Sequence, residues 1–317
     1  MSQFPRIHQR VQRLMGNRFE LSVVSQDTDW ANDCLDEAIV EISRIERLLT
    51  TYNDESQTNQ INASAGIRPV QVDEEVFALI ERSLRLSVLT QGAFDITYGS
   101  MDKRFWNFDT TLTALPDQKT AQRMVRLINY QNVLLNAEQR TVFLKEKGMR
   151  IGFGGIGKGY AAEQAKCILR KRGVENGIVN AAGDLTTWGR QPNGQVWTIG
   201  IADPNGTTQQ AFSYLAISDM AVATSGSYEK YALINGKRYA HTIDPKTGYP
   251  VSGIKSVTVI APNAELADAL ATPVMVMGVR VGLDLINQMR HIACIIIDDT
   301  DALYTSTNIR ITAPAAA

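Results

Sequence analysis

IGFGGIGKGYAAEQAKCILRKRG, residues 151–173, sets several glycines and a lysine at the start of a helix expected over roughly 157 to 172 and closed by Gly173. Such a start presents free backbone N–H groups and the positive end of a helix dipole, a favourable setting for phosphate. Gly152 to Lys158 fits the GxxxxGK part of a P-loop, the hallmark of a nucleotide-binding strand–loop–helix unit. Gly159 stands where that motif needs Ser or Thr to hold magnesium, so the P-loop reading fails at the metal. The plainer alternative is a Gly-rich helix start packed tightly on a sheet.

The flanking sequence argues the same way. Upstream, Phe19, Leu21 and Val23 alternate with Glu20 and Ser22, the pattern of a half-buried strand. From Asp27 to Leu49, apolar residues at Leu35, Ala38, Ile39, Ile42, Ile45 and Leu49 predict an amphipathic helix. Asp73 reads as the N-cap of a second helix carrying Val76, Ile80, Leu84 and Val88 on one face. A helix near 121–127 and short strands near 133–135 and 141–144 follow. Downstream, strands are expected at 177–180, 196–201, 213–217, 238–243, 255–261, 292–297 and 302–305, with helices near 264–278 and 279–290. The later strands are separated mostly by turn chemistry, DPNG at 203–206 and NG at 235–236, which favours antiparallel pairing. The expected class is therefore α+β, mostly antiparallel sheets packed with helices, and not a doubly wound parallel sheet.

At 317 residues the chain is long for one domain; one elaborated unit over 1–317, or two interleaved subdomains, is expected. Lys plus Arg (32) balances Asp plus Glu (33), so no field holds a polyanion and nucleic acid is not indicated. The opening MSQFPRIHQRVQRLMGN has no apolar run of signal-peptide length and no Cys for a lipid. No later stretch reads as the roughly 20 apolar residues of a membrane span. The expectation is a cytoplasmic protein without membrane insertion. Cys34, Cys167 and Cys294, widely spaced among apolar neighbours, read as buried free thiols.

Two further segments can carry chemistry. In VATSGSYEKYALINGKRYAHTIDPKTGYPV, 222–251, TSG reads as a small hydroxyl-bearing turn, and HTIDPKTG puts His241, one of three histidines, before a Pro-containing turn. His241 is either a general base or a structural imidazole. In AELADALATPVMVMG, 264–278, Asp268 and Thr272 are four apart on a helix and share a face. Such a pair suits a hard cation such as Mg²⁺; the alternative is a helix-start Asp and a Thr bonded to its own backbone.

Taken in order, the blocks RLMGNRFEL, LLTTYNDESQTNQIN, TQGAFDITYG, GGIGKGYAAEQA, NAAGDL, ATSGSYEKY, HTIDPKTGYPV and SVTVIAPNAELADALAT resemble the ApbE family of FAD:protein FMN transferases across nearly the whole chain. The resemblance implies an α+β fold akin to the tunnelling fold (T-fold), with FAD in a cleft between two portions of the chain. It implies FAD contacts at Met15, Tyr52, Ala93, Phe94, Asp95, Lys158 and Thr242. It implies Mg²⁺ at Asp268, Thr272 and the carbonyls of Gly155 and Ala271, in agreement with the helix-face argument.

The implied reaction attaches FMN from FAD to a Thr or Ser hydroxyl of an acceptor flavoprotein and releases AMP, with Asp268 and Lys158 in the catalytic centre and His241 as the candidate base. The same residues leave open an FAD diphosphatase or a non-catalytic FAD-binding protein. Three departures stand out: Gly152 where the family usually has Asp, Pro273 after Thr272 where it prefers Ala, and Ala182 in place of a common Gly.

Overall fold

The computed structural model describes residues 4–102, 114–204, 211–226, 231–234 and 236–309. Parts of the DPNG and NG turns and of the ATSGSYEKY block, residues 205–206, 235 and 227–230, lie outside them.

The chain begins with a hairpin of β1 (Arg6–Leu14) and β2 (Asn17–Ser25), closed by Met15 and Gly16 with φ of 50° and 73°, the geometry of a two-residue type I′ turn. Then come α1 (Thr28–Leu49), α2 (Gln57–Ala63), β3 (Val70–Gln71), α3 (Glu74–Leu89), a 3₁₀ turn at Ile96–Ser100 and α4 (Gln118–Val125). β4 (Val133–Asn136) and β5 (Thr141–Leu144) precede α5 (Gly157–Lys171). β6 (Gly177–Ala181), β7 (Asp184–Trp188), β8 (Trp197–Ala202), β9 (Ala211–Ile217) and β10 (Ala221–Gly226) follow. The chain continues through β11 (Tyr231–Ile234), β12 (Lys237–Ala240), β13 (Ile254–Ala261), α6 (Ala264–Asn287), β14 (Ala293–Asp298) and β15 (Leu303–Thr305).

Every described strand pair is antiparallel, as the turn chemistry indicated. Eight strands form the main sheet in the order β1-β2-β6-β7-β10-β13-β14-β15. One face carries Phe19, Leu21, Val179, Ala223, Val257 and Val259 into a core with Leu35 of α1, Ala162 of α5 and Leu270 of α6. The other face presents Leu185, Val222, Ile260 and Ile295 to Trp197, Ile199 and Leu215 of the β8–β9 hairpin. With both faces covered, β13 is buried at every position, Lys255, Ser256 and Thr258 included.

α1 starts where its Asp27 cap accepts the Trp30 N–H at 3.0 Å. Its buried line, Cys34, Leu35, Ala38, Ile42, Ile45 and Leu49, follows the predicted periodicity. α3 differs from its reading. Asp73 occupies the cap position but accepts from the Gln57 side chain at 2.5 Å and makes no cap bond, and Val88 is exposed because burial passes instead through Leu79, Ser83 and Leu86. The two helices expected over 264–290 are one run broken at Gly278, whose φ of 81° and ψ of 169° are not helical. Pro273 sits inside the first part without ending it.

α6 is long and apolar enough to cross a membrane by composition, a property the sequence reading missed. Here its Ala267, Leu270, Ala271 and Val274 are buried in the core, and it packs on α5, β10 and β13.

Other expectations are corrected. Cys167 is exposed on α5, while Cys34 and Cys294 are buried. The strand expected to reach 243 ends at Ala240, and only an isolated bridge from Ile243 to Pro250 continues the pairing. Thr224, Ser225 and Gly226 are not a turn but the end of β10, paired with Thr258, Val257 and Ser256 of β13.

Candidate active site

The site is built around the start of α5. Its N-cap, Ile156, supplies no side-chain acceptor, so the first N–H groups depend on partners from elsewhere. One partner is Asp268: its Oδ2 accepts the Gly159 N–H at 2.9 Å, tying α5 to α6. Gly159 permits this approach because a Cβ there would lie 2.1 Å from the Ala264 carbonyl oxygen and 2.8 Å from the Asp268 Cβ. The residue that defeats the P-loop reading is thus a packing requirement: no Ser or Thr fits at 159 with the helices this close.

Lys158, the preceding residue, turns its ammonium toward two carboxylates. It hydrogen-bonds Asp184 Oδ2 and lies 3.7 Å from Asp268 Oδ1. Asp184 opens β7 directly after the Ala182–Gly183 turn and also accepts the Thr224 N–H. Ala182 holds φ 54°, a left-handed conformation that costs a non-glycine residue about 1 kcal/mol, which accounts physically for a glycine preference at this position.

Burial and the neighbouring Asp268 push Asp184 up to about 7. Burial likewise raises Asp268 against the pull of Lys158 and the Gly159 N–H. Burial opposes the Lys158 charge, but Asp268 and Asp184 outweigh it and lift its pKa above the usual lysine value. Two buried carboxylates share one ammonium, so ionisation of both leaves one negative charge without a partner.

One turn along α6 from Asp268, Thr272 Oγ1 lies 2.8 Å from Ser225 Oγ of β10. Among the described residues no group of three or more His, Cys, Asp or Glu stands together as a metal cluster, so any cation here depends on hydroxyl and carbonyl oxygens as well. Two neighbouring carboxylates, with two hydroxyls one helix turn along α6, are the all-oxygen donor types that a hard divalent cation such as Mg²⁺ takes. Gly155 precedes α5 by two residues and Ala271 precedes Thr272, so the two residues implied to offer carbonyls flank the same helix contact.

The glycine segment is also where several implied flavin contacts meet. Met15, at the β1–β2 turn, brings its Cε to 3.6 Å from where a Gly157 Cβ would stand, and the Phe94 ring comes equally close at Gly155. Thr51 lies beside Gly152, and its neighbour Tyr52 is 95% exposed, an aromatic ring presented to solvent.

Asp95 is different. Its carboxylate accepts from Thr97 N (2.8 Å), Thr97 Oγ1 (2.6 Å) and Tyr130 N (2.9 Å), and burial raises its pKa. It holds the GAFD loop, with the buried Ala93 behind it.

The HTID segment joins that loop through Tyr98, whose hydroxyl accepts the Ile243 N–H at 3.0 Å. Thr242 is buried, and its carbonyl accepts the Val251 N–H at 2.9 Å. Beyond it Asp244 folds DPKTG by accepting from Lys246 N and Thr247 Oγ1, each at 2.9 Å, and Gly248 packs on Ala121 of α4. His241 is exposed where β12 ends. One assembly therefore holds Lys158, Asp268, Thr272, Gly155, Met15 and Phe94. Asp95 and Thr242 belong to an adjoining one, and Tyr52 and His241 face outward.

The model of the ApbE family matches residues 15–296. The chain belongs to the ApbE family. It is 33% identical over 296 residues to an FAD:protein FMN transferase of Klebsiella pneumoniae (strain 342), covering 93% of this chain and 88% of that one. It is 31% identical to an FAD:protein FMN transferase of Treponema pallidum (strain Nichols), covering 89% and 79% respectively. The crystal structure of the ApbE protein from Thermotoga maritima superposes with a TM-score of 0.85 at 30% identity, covering 95% of this chain and 97% of that one.

In this ApbE chain the sequence reading missed Asp184 and Ser225. Both lie in blocks that carried the resemblance, NAAGDL and ATSGSYEKY, but neither had a local partner at helical or strand spacing to mark it. The available signal for Asp184 was an acidic residue just after a turn in a β6–β7 pair with no other charged residue.

Proposed function

We propose that this ApbE protein is a Mg²⁺-dependent FAD:protein FMN transferase, which moves FMN from FAD to a Thr or Ser hydroxyl of an acceptor flavoprotein and releases AMP. One observation carries the reading: two buried carboxylates, Asp184 and Asp268, share the single Lys158 ammonium at the N-terminus of α5. That arrangement suits a diphosphate and a hard cation together.

In the reaction the acceptor oxygen forms a bond to the FMN phosphorus, the bond from that phosphorus to the bridging oxygen breaks, and AMP departs with that oxygen. Bound Mg²⁺ supplies neutralisation of charge on the diphosphate. Asp268, Thr272 and the carbonyls of Gly155 and Ala271 hold the metal. Lys158 and the free N–H groups of α5 bind phosphate oxygens. Met15, Phe94 and Tyr52 offer apolar and aromatic surface to the flavin nucleotide, while Asp95 keeps the GAFD loop in place and Thr242 lines the adjoining segment. The FAD cleft lies between these two portions of one catalytic unit. His241 accepts the proton of the attacking hydroxyl.

The test is incubation with FAD, Mg²⁺ and an acceptor domain carrying a Thr flavinylation motif, read by intact mass and nucleotide analysis. An FMN increment on the acceptor with stoichiometric AMP is expected. FMN and AMP without acceptor modification would replace the transferase with a diphosphatase; intact FAD beside an active relative would leave binding alone.

His241→Ala is expected to lower kcat by about 10²–10⁴-fold, with FAD affinity nearly unchanged. Equal loss in both would make His241 a binding or structural residue. Gly152→Asp tests the departure in the glycine segment. A Cβ there meets only Thr51 Cγ2, at 3.8 Å. The variant is expected to keep its stability within about 0.5 kcal/mol and to bind FAD more tightly in a fluorescence titration; weaker binding would show that this chain has no place for the family's carboxylate.

A further inference from the structure

Lys158 occupies a position that the metal-dependent reading assigns in part to a cation. Its ammonium lies between Asp184 and Asp268, whose side chains are nearly inaccessible at 5% and 7% exposure. Two buried carboxylates without a cation would be strongly unfavourable, because the desolvation of each costs several kcal/mol and their charges repel. Lys158 offsets one of the two charges in the metal-free protein.

The pairing is uneven. Lys158 is close to Asp184, whereas Asp268 Oδ2 is committed to the Gly159 N–H and its Oδ1 lies 3.7 Å from the ammonium, beyond a charge-assisted hydrogen bond. The Asp268 carboxylate is therefore held mainly by the Gly159 and Lys158 N–H groups of α5 and less closely by the ammonium than Asp184 is. The Thr272 and Ser225 hydroxyls form a separate pair next to it along α6 and β10. An ammonium is a point charge on a flexible stem with no fixed coordination geometry, so it can neutralise this oxygen set and leave it again. The Lys158 side chain keeps 26% exposure and springs from the second residue of α5, beside the N–H groups that favour an anion.

We propose that Lys158 is a resident placeholder for the divalent cation and that Asp184 is a member of the metal centre. Lys158 pairs with Asp184 and stands beside Asp268 in the metal-free protein; when the cation binds, Lys158 gives up the carboxylates and turns to the substrate diphosphate. The proposal rests on the metal-dependent reading above and adds Asp184 to its ligand side. It makes metal binding and phosphate binding mutually supportive, since the charge that leaves one site arrives at the other.

The experiment is calorimetric titration of Mg²⁺ alone, without FAD, into the wild-type protein, Lys158→Met and Asp184→Asn. Removing a competing internal cation is expected to tighten Mg²⁺ binding in Lys158→Met by at least about tenfold and to enlarge the rise in Tm on adding metal. Asp184→Asn is expected to weaken binding by at least about tenfold, as loss of a carboxylate from the centre requires. Equal or weaker affinity in Lys158→Met overturns the placeholder role, and unchanged affinity in Asp184→Asn removes Asp184 from the centre.

Should Lys158→Met not fold, acetylation of the wild-type protein followed by peptide mass spectrometry gives the answer. Lys158 must react faster with Mg²⁺ present, while the exposed Lys246 reacts at a constant rate; an unchanged or slower Lys158 overturns the proposal. No Mg²⁺ binding to any of the proteins sinks the metal-dependent reading and this proposal with it, whereas binding that ignores Lys158 sinks the placeholder alone.

Discussion

Asp268→Asn lowers flavin transfer by at least about 100-fold and leaves the protein folded, because it removes one charge from a centre built to stabilise charge. Asn is chosen for a structural reason. Asp268 is buried, and its Oδ2 accepts the Gly159 N–H at 2.9 Å, so Ala would remove that acceptor as well as the charge. An orphaned buried N–H costs about 1–3 kcal/mol, enough to confuse lost chemistry with a loosened helix pair. Asn keeps an oxygen for Gly159 and takes away the carboxylate that faces Lys158. The assay is acceptor mass against Mg²⁺ concentration, with Tm in parallel. Unchanged metal dependence in a folded variant would take Asp268 out of the proposed metal centre.

Gly159→Ala has a comparable effect by a different route. The added methyl has no room: the Ala264 carbonyl oxygen would be 2.1 Å away and the Asp268 Cβ 2.8 Å. Backbone lies on that side, so no side-chain rotation relieves the clash, and α5 and α6 must separate. A loss of about 3 kcal/mol, at the upper end for overpacking, is expected in denaturant unfolding. Because the separation also carries Asp268 away from Lys158, transfer activity falls with stability. Gly154→Ala is the control from the same segment: its Cβ enters open space, and its stability is expected to stay within about 0.5 kcal/mol. Equal stability of the two variants would show that the helices are not held as closely as the structure places them.

These residues also show what could be read from sequence. α1 was legible because one long helix buries one continuous stripe, and β13 because a strand covered on both sides is apolar over Val257–Ala261 but for Thr258. Gly278 marked the break in α6, although the two parts abut without a loop. β1 was not legible, since only His8 and Leu14 are buried along it and a solvated edge strand has no alternation to detect. β7 and β10 were read as motif and turn because their small and hydroxyl residues lie in the centre of the sheet, where close packing replaces bulk.

The same distinction governs the site. Asp268 and Thr272 could be paired by helical spacing alone. Asp184 could not, because its partner Lys158 comes 26 residues earlier and Asp268 much later, and only the packing of α5 and α6 on the sheet unites them. Gly159 could be recognised as the wrong residue for a P-loop, but its necessity appears only when α6 is placed against it.

The order of the main sheet has a consequence for synthesis. β2 pairs on one side with β1, available at once, and on the other with β6, where Phe19 meets Ala181 about 160 residues later. At roughly 5–20 residues per second the ribosome takes on the order of 8–30 s to deliver that partner. Throughout this interval the inner edge of the hairpin, along Phe19, Leu21 and Val23, has no strand to pair with. The outer strand carries Arg6, Arg10 and Arg13, which discourage association with other chains, whereas β2 carries only Arg18 and Glu20, and these pair with each other. The nascent chain is therefore most exposed to aggregation between the emergence of α1 and that of β6, and chaperone depletion should reduce its yield through that window.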